Sequence, residues 1–386
     1  MNQTFDCLVA GGGIVGLTAA ITMSTQGYSV AVIDSGSLTA DTSKPDPRVY
    51  AINQASKELL QQLGVWQYMD ENCISPYQQM HVWDAANNAA IDFDSRIVAT
   101  NHLGVIIEES VLKKALFLRI REQDGIHLFP ESSIDSVIHN NLITVGVAHR
   151  QWQGQLLVVT DGAHSPTREK LNVSLNSWSY HQYAIVATVE VEHKHQQTAW
   201  QVFHADGPLA FLPLTDSHQC SIVWSSASAK AKALMSLPED EFNEKLTDAF
   251  CRKLGQTKLI SKRHQFPLTM RHVKQYSGSR WLLAGDAAHT IHPLAGLGLN
   301  LGLADIACWL EEIKGLKSTP DFSKALASYQ RQRKTEVWKM IFVMDSLKTL
   351  FGHPLPAVKV IRGIGLHCFN QFKPLKRFLI HQAMGK

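Results

Sequence analysis

The chain has 386 residues, of which 45% are hydrophobic and 18% charged, and a formal net charge of only +3. That composition is ordinary for a globular protein of two or three domains, and so weak a net charge argues against nucleic acid as a partner. The six cysteines, Cys7, Cys73, Cys220, Cys251, Cys308 and Cys368, contain no C-x-x-C pair and match neither a disulfide framework nor a zinc site, which fits a reducing cytosol.

Residues 5–10, FDCLVA, read as a buried strand that ends at GGGIVG. LTAAITMSTQG then reads as a helix with Gly27 at its C-cap, and YSVAVID as a second buried strand ending at Asp34. Strand, glycine turn, helix, strand is the start of a parallel βαβ sheet. Asp6 and the glycines interrupt the first apolar run and no basic residues precede it, so no signal peptide is expected. A polar loop over 36–50 ends in PDPRVY. Helical patterns follow near 51–71 and 108–124, and MHVWDAANNAAIDFD between them alternates as a hairpin. LLVVTDGAHSPTR, 156–168, reads as a further buried strand running into a loop.

From about 177 to 275 the texture changes. YAIVATVEVE, TAWQVFHADG, LAFLPL and CSIVWSS are alternating or β-branched and aromatic, and they predict an antiparallel sheet. Trp200, Phe203, Phe211 and Trp224 read first as its core. HKH at 193–195 sits in a polar turn and reads as solvated. A helix is expected over SLPEDEFNEKLTDAFCRKL, and WLLAGD, 281–286, returns to a buried strand. The stretch 321–386 reads as helical, broken at Pro354, Pro356 and Pro374. It is also basic: Arg331, Arg333, Lys334, Lys339, Lys348, Lys359, Arg362, Lys373, Lys376, Arg377 and Lys386 are opposed only by Glu336 and Asp345. Such a tail suits an acidic partner or an anionic membrane surface, or is simply a solvated helix face. No run of about 18 uninterrupted apolar residues predicts a spanning helix.

Three features carry chemistry. Gly11, Gly13 and Gly16 form G-x-G-x-x-G between a strand and a helix, where a tight turn, close backbone approach and free N–H groups receive a pyrophosphate. Asp34, ending the next strand, is placed to accept from an adenosine ribose. Gly285-Asp286 ends a third strand and sets a carboxylate at the carboxyl edge of the sheet. Gly296, Gly298 and Gly302 then open a helix, although each glycine inside a helix costs about 1 kcal/mol. They would leave room for a flat ring, with the helix dipole directed at the pyrimidine edge of a flavin. His289 and His292 lack partners at ligand spacing, so a loop role is expected for them and no metal.

GGGIVG, PDPRVYAI, TDGAHSPTR and GDAAHTIHPLAGLGLNLGLAD together resemble the FAD-dependent aromatic hydroxylases, the class A flavoprotein monooxygenases. GPLAFLPL, MDSLKTLF, RGIGL and PLKRFLIHQAMG are similar to the ubiquinone-biosynthesis hydroxylases acting on polyprenyl phenols, so the resemblance spans nearly the whole chain. It implies an α/β (α+β) fold. A Rossmann-like FAD-binding domain would occupy 1–175 and 276–330, with an inserted antiparallel-sheet substrate domain over 176–275 and a helical C-terminal region over 331–386. By the same resemblance Gly11, Gly13, Gly16 and Asp34 hold the ADP half of FAD. Arg48 contacts the flavin or its phosphates, and Asp161, Gly162 and Arg168 form a DG motif serving FAD and NAD(P)H. Gly285 and Asp286 hold the ribityl chain, Pro293 lies at the flavin edge where oxygen reacts, and Gly296, Gly298 and Asn300 border the pyrimidine ring. Arg48 and Pro293 are the residues expected nearest the chemistry. Asp34 stands where the family usually has Glu, and Leu297 where this branch commonly has Gln.

The implied reaction uses NAD(P)H and O2 to hydroxylate a prenylated phenol through a flavin C4a-hydroperoxide. The implied setting is cytoplasmic, peripheral on the inner face of the cell membrane through the basic tail. Other ubiquinone-biosynthesis proteins and a second copy of the chain are open as partners. A hydroxylase of another aromatic substrate, a flavin reductase or isoprenoid saturase, and a non-catalytic flavin-binding scaffold are the competing readings.

Overall fold

Val, Ile, Leu and Ala dominate the short runs that open the chain, and they become buried parallel strands. The computed structural model describes residues 3–42, 46–87, 89–148, 150–291, 297–316, 321–353 and 355–385. β1 (Gln3–Ala10), α1 (Ile14–Thr25) and β2 (Val30–Ile33) form the opening unit, followed by β3 (Val49–Asn53) and α2 (Gln54–Gln62). Next come β4 (Ile74–Tyr77), β5 (Gln79–Asp84), β6 (Ala90–Asp94), β7 (Gly104–Glu108) and α3 (Glu109–Arg121). β8 (Ile126–Phe129), β9 (Ile134–His139), β10 (Ile143–Val147), β11 (Arg150–Val159) and α4 (Pro166–Lys170) complete the first part. The middle holds β12 (Leu175–Val191), β13 (Thr198–His204), β14 (Gly207–Pro213), β15 (Gln219–Ala227), α5 (Ser228–Ser236), α6 (Glu239–Ala249), β16 (Thr257–Leu259) and β17 (His264–Val273). β18 (Ser277–Gly278), β19 (Trp281–Leu283) and β20 (His289–Thr290) lead to α7 (Leu297–Ile313), α8 (Ser323–Gly352), α9 (Pro356–Gln371) and α10 (Lys373–Ala383).

Three sheets result. An eight-stranded sheet runs β18-β19-β11-β1-β2-β8, with β10 and β9 continuing from β11. Its central pairs are parallel. The helix α1 is buried over most of its surface, which is why its apolar residues show no single face. A three-stranded sheet, β3-β7-β4, lies beside it. The third sheet has nine strands, β20-β17-β12-β15-β14-β13-β5-β6 with β16 on β12.

The antiparallel sheet expected over 177–275 is present, but it recruits more of the chain. The hairpin β5–β6 forms where the alternation predicted it, and β5 then pairs in parallel with β13, Trp200 opposite His81. The strands at 79–94 therefore belong to the large sheet, although the sequence reading placed them within the 1–175 part of the FAD-binding domain. Trp83 explains the preference: its side chain is buried against Phe250, ring centroids 5.3 Å apart, in the core of that sheet. The C-terminal helices are tied down at several points. Arg362 of α9 forms a buried ion pair with Asp84 of β5, Phe351 stacks on Phe203 at 4.0 Å, and the Met384 carbonyl accepts from Ala55 N–H at 3.0 Å.

Candidate functional site

The parallel strands end level with one another. Register sets Ala10 beside both Val159 and Ile33, and Val159 beside Leu283. The residues that follow these ends, Gly11, Asp34, Asp161 and Gly285-Asp286, therefore line a single edge of the sheet. That carboxyl edge is where open α/β sheets bind their ligands.

The motif glycines divide into two kinds. A Cβ on Gly11 would lie 2.7 Å from the Asp161 backbone, and one on Gly16 would strike the Gly11 carbonyl and lie 2.6 Å from Thr160 Oγ1. Those two serve chain packing. A Cβ on Gly13 would meet nothing within 4 Å, and its φ of −72° and ψ of 179° are open to any residue. Gly298 and Gly162 face open space in the same way. At Gly13 and Gly298 packing among the described residues gives no reason for glycine, whereas a ligand lying on the backbone does. Gly302 differs from the expectation. Its Cβ would come 2.8 Å from Val15 and 3.1 Å from Gly285 Cα, so it makes room for helix and turn, not for a ring.

α1 begins with no side-chain cap and no acid in its first turn. Its N–H groups are thus suited to an anion. Asp34 accepts from Gly12 N–H at 2.5 Å and Gly36 N–H at 2.6 Å, so it braces the glycine turn from the end of β2. Asp161 accepts from Ser165 Oγ and from Thr167 N–H at 3.0 Å, capping α4. Arg168 is buried. It donates to the Ala287 carbonyl at 2.9 Å and the Ala163 carbonyl at 3.2 Å, stitching the DG loop to the GD turn, and burial holds its guanidinium below the usual range.

In the GD turn, Asp286 is exposed between buried neighbours. It is open to solvent yet walled by protein on its other sides, and this desolvation pushes its carboxyl above the ordinary range despite the opposing pull of His289 and Arg271. Behind the turn lies a residue the sequence reading missed. Asp305 of α7 is wholly buried and accepts from Gly285 N–H at 2.8 Å, His289 Nε2 at 2.7 Å and Arg333 Nε at 2.6 Å. Burial alone would raise its carboxyl. The His289 and Arg333 groups facing it, with the hydrogen bonds, hold it below the ordinary value. His289 is thus a ligand of Asp305. An Asp inside the apolar run LNLGLADIACWL was the signal for Asp305, because a buried carboxylate must be answered. Nothing local distinguished Arg333 among the basic residues of the tail.

The opposite wall comes from the small sheet. Arg48 is exposed, lies 3.4 Å from Glu109 and sits over the Phe266 ring at 5.6 Å. Tyr50 donates to Glu109 at 2.9 Å, and burial followed by the Glu109 charge pushes its phenol well up. The Asp286 charge also reaches Tyr50, so the two walls face each other. Asn300 is buried and bridges them. It donates to the Ala51 carbonyl at 2.7 Å and accepts from Asn53 N–H at 3.0 Å, which makes it a brace between α7 and β3. His292, Pro293 and Gly296 lie outside the described residues.

Residues 4–342 match the FAD binding domain family. The 3-demethoxyubiquinol 3-hydroxylase of Escherichia coli (strain K12) is 32% identical over 395 residues, covering 100% of this chain and 99% of that protein. Ubiquinone hydroxylase UbiL of Rhodospirillum rubrum is 30% identical over 391 residues, covering 100% of this chain and 90% of its own. The crystal structure of p-nitrophenol 4-monooxygenase PnpA from Pseudomonas putida DLL-E4 shares the fold, with a TM-score of 0.81 at 17% identity over 99% of this chain and 98% of that one. With a level strand edge, glycines open to a ligand and end-to-end similarity of sequence, the chain belongs to the FAD binding domain family, among the ubiquinone-biosynthesis hydroxylases.

Proposed function

We propose that this protein is an FAD-dependent monooxygenase that hydroxylates the aromatic ring of a polyprenyl phenol in ubiquinone biosynthesis, with NAD(P)H as reductant and O2 as oxidant. The observation that carries the reading is the level strand edge, which sets Gly11, Asp34, Asp161 and Gly285-Asp286 in one row, with Gly13 and Gly162 open beside it. Bound FAD supplies the redox chemistry and the activation of oxygen. The chain supplies binding, orientation and shelter. The uncapped start of α1 and Gly13 receive the pyrophosphate, and Asp34 the adenosine ribose. Asp286 accepts from a ribityl hydroxyl. Gly298 leaves room for the flat ring. The N-terminal end of α7 would favour negative charge on a bound ring. Arg48, exposed at the mouth, meets the flavin or its phosphates, and Asp161, Gly162 and Arg168 form the floor toward the reductant.

The relatives, a 3-demethoxyubiquinol 3-hydroxylase and a ubiquinone hydroxylase, support a prenylated phenol as substrate. A small apolar crevice lies between the small and the large sheet, lined by Ala51, Tyr77, Met80, Ile106, Trp200 and Leu212, with a volume of about 10 Å3, room for one water-sized molecule. Burial pushes the Tyr77 phenol up to about 12, so it faces the crevice uncharged.

The test is direct. Purified protein should show flavin absorbance, and NAD(P)H-dependent oxygen uptake should rise when a short-chain prenylphenol is added, with a product heavier by one oxygen in the mass spectrum. Flavin without uptake under any donor would favour the scaffold reading. Uptake with no hydroxylated product would reject the prenylphenol.

A further inference from the structure

We infer that the buried Asp305–Arg333 pair is a positioning device that fixes the Gly285-Asp286 turn for FAD and makes FAD affinity depend on the docking of α8. The inference rests on the reading that FAD occupies the carboxyl edge described above.

The turn is held from both ends by one carboxylate. Asp305 takes the Gly285 N–H at its start and His289 Nε2 at its finish. Between these anchors Asp286 is the one exposed residue of 281–289. Asp305 can keep its charge in an apolar helix face only if a cation answers it, and Arg333 of α8 supplies that cation at 2.6 Å.

Arg333 is not alone on its helix. The Leu326 carbonyl accepts from Ser277 Oγ at 2.8 Å. Tyr329 donates to the Leu283 carbonyl at 2.8 Å. Gln330 Oε1 accepts from Tyr276 N–H at 3.1 Å and Ser277 N–H at 3.2 Å. Positions 326, 329, 330 and 333 form one stripe at helical spacing. That stripe grips β18, β19 and, through Asp305, the turn that follows them. If α8 lifts, the turn loses its anchor. By reciprocity, a ligand that needs the turn in place must hold α8 down.

A second buried ion pair, Asp84–Arg362, provides the control: it clamps α9 to β5, holds only the far C-terminal end of α8 through the Leu350 and Phe351 carbonyls, and touches neither the turn nor the 326–333 stripe. Full-length wild type, Arg333→Met, Arg333→Lys and Arg362→Met would be titrated with FAD by flavin fluorescence, and backbone hydrogen exchange in α8 followed with and without FAD. Arg333→Met should weaken FAD binding at least tenfold, and Arg333→Lys should recover part of the loss. Arg362→Met should lower the melting temperature yet bind FAD within twofold of wild type. FAD should slow exchange near 326–333 in wild type but not in Arg333→Met. If Arg333→Met alone fails to fold, D305N/R333M removes both buried charges and should fold with the same loss. Wild-type affinity in that double variant or in Arg333→Met overturns the inference. So does an equal loss in Arg362→Met, or α8 exchange indifferent to FAD. A wild-type protein that takes up no FAD overturns the flavin reading and the inference with it. Wild-type binding with unaltered variants overturns the inference alone.

Discussion

Asp286 and Asp305 stand in one motif, yet their surroundings drive their carboxyls in opposite directions. Asp305 is answered by two nitrogen-bearing side chains and a backbone N–H and stays below the ordinary carboxylate range. Asp286 is pushed up by desolvation. A carboxyl raised in the fold stabilises it below the unfolded value of about 4, and that contribution is lost as pH rises through the folded value. Apo-protein carrying Asp286→Asn should therefore melt at a higher temperature than wild type at pH 7, with the gap closing toward pH 4. FAD binding should weaken by ~10–100-fold, the scale of one charge-assisted hydrogen bond at ~1.5–3 kcal/mol. Melting curves of the apo-protein across pH, with FAD titrations, measure both; a lower apo melting temperature at pH 7 would refute the strained carboxylate. At this scale much of the site was legible. Gly11, Asp34, Asp161, Gly162, Gly285 and Asp286 fall at strand ends and Gly13 and Gly16 at the start of α1, where turn chemistry is written locally. His195 was not legible: it reads as solvated in HKH but is buried, its Nε2 between the Leu214 and Asp216 carbonyls and its Nδ1 accepting from Gln197 N–H. Those partners come from the chain's return some twenty residues later, which no local pattern shows.

Elements were read well wherever one strand or helix carried its own period. The hairpin at 79–94, the strands of the middle segment and the three tail helices formed where alternation, turn residues and prolines placed them. Which strand pairs with which was not written there, because register depends on facing side chains far apart in sequence. β17 against α8 is such a junction. His272 of β17 is buried, and among the described residues neither ring nitrogen has a hydrogen-bond partner. Its ring lies 4.7 Å from that of Trp338 on α8 and 5.5 Å from Tyr276, with His289 its neighbour on β20. Burial, helped by His289 and Lys334, lowers it to about 4. A histidine depressed in the fold stabilises it above the unfolded value of about 6.5, and that contribution disappears as pH falls through about 4. The swing is about 3 kcal/mol over that window. His272→Phe keeps the ring contacts and removes the titration. Its unfolding free energy, by urea at pH 7 and pH 4.5, should therefore fall less with acid than wild type by about 2–3 kcal/mol. An identical acid dependence in the two proteins would mean that His272 is solvated or paired.

The C-terminal helices expose more large apolar side chains than the rest of the described residues. Phe342, Val343, Leu355, Val360, Ile364, Phe372 and Phe378 are exposed on or between α8, α9 and α10, although lone exposed apolar residues are normal on a protein surface. Here they share helices with Lys339, Lys348, Lys373 and Arg377. The helices do not hang free, since Arg362–Asp84, the Phe351–Phe203 stack and the burial of Ile380 and Met384 fix them to the sheets. Among the described residues no helix is long and apolar enough to cross a membrane. A fixed region that exposes both apolar and basic side chains would suit the surface of an anionic bilayer, where each Lys or Arg near the headgroups adds ~1 kcal/mol and apolar side chains add ~25 cal/mol per Å2 buried. A substrate with a polyprenyl chain partitions into such a bilayer, so the region would bring the enzyme to its substrate. The full chain should pellet with vesicles containing phosphatidylglycerol at low ionic strength and be released by salt as the charges are screened. F342S/I364S/F378S, altered only at exposed positions, should keep the wild-type melting temperature and lose vesicle binding by at least ~10-fold, since two of these rings fully inserted are worth ~3–6 kcal/mol. Wild-type protein that stays in the supernatant at low salt would assign this region to an acidic protein instead. Binding that survives the triple substitution but not high salt would reduce the contact to the lysines alone, and the apolar side chains would then have no lipid to meet.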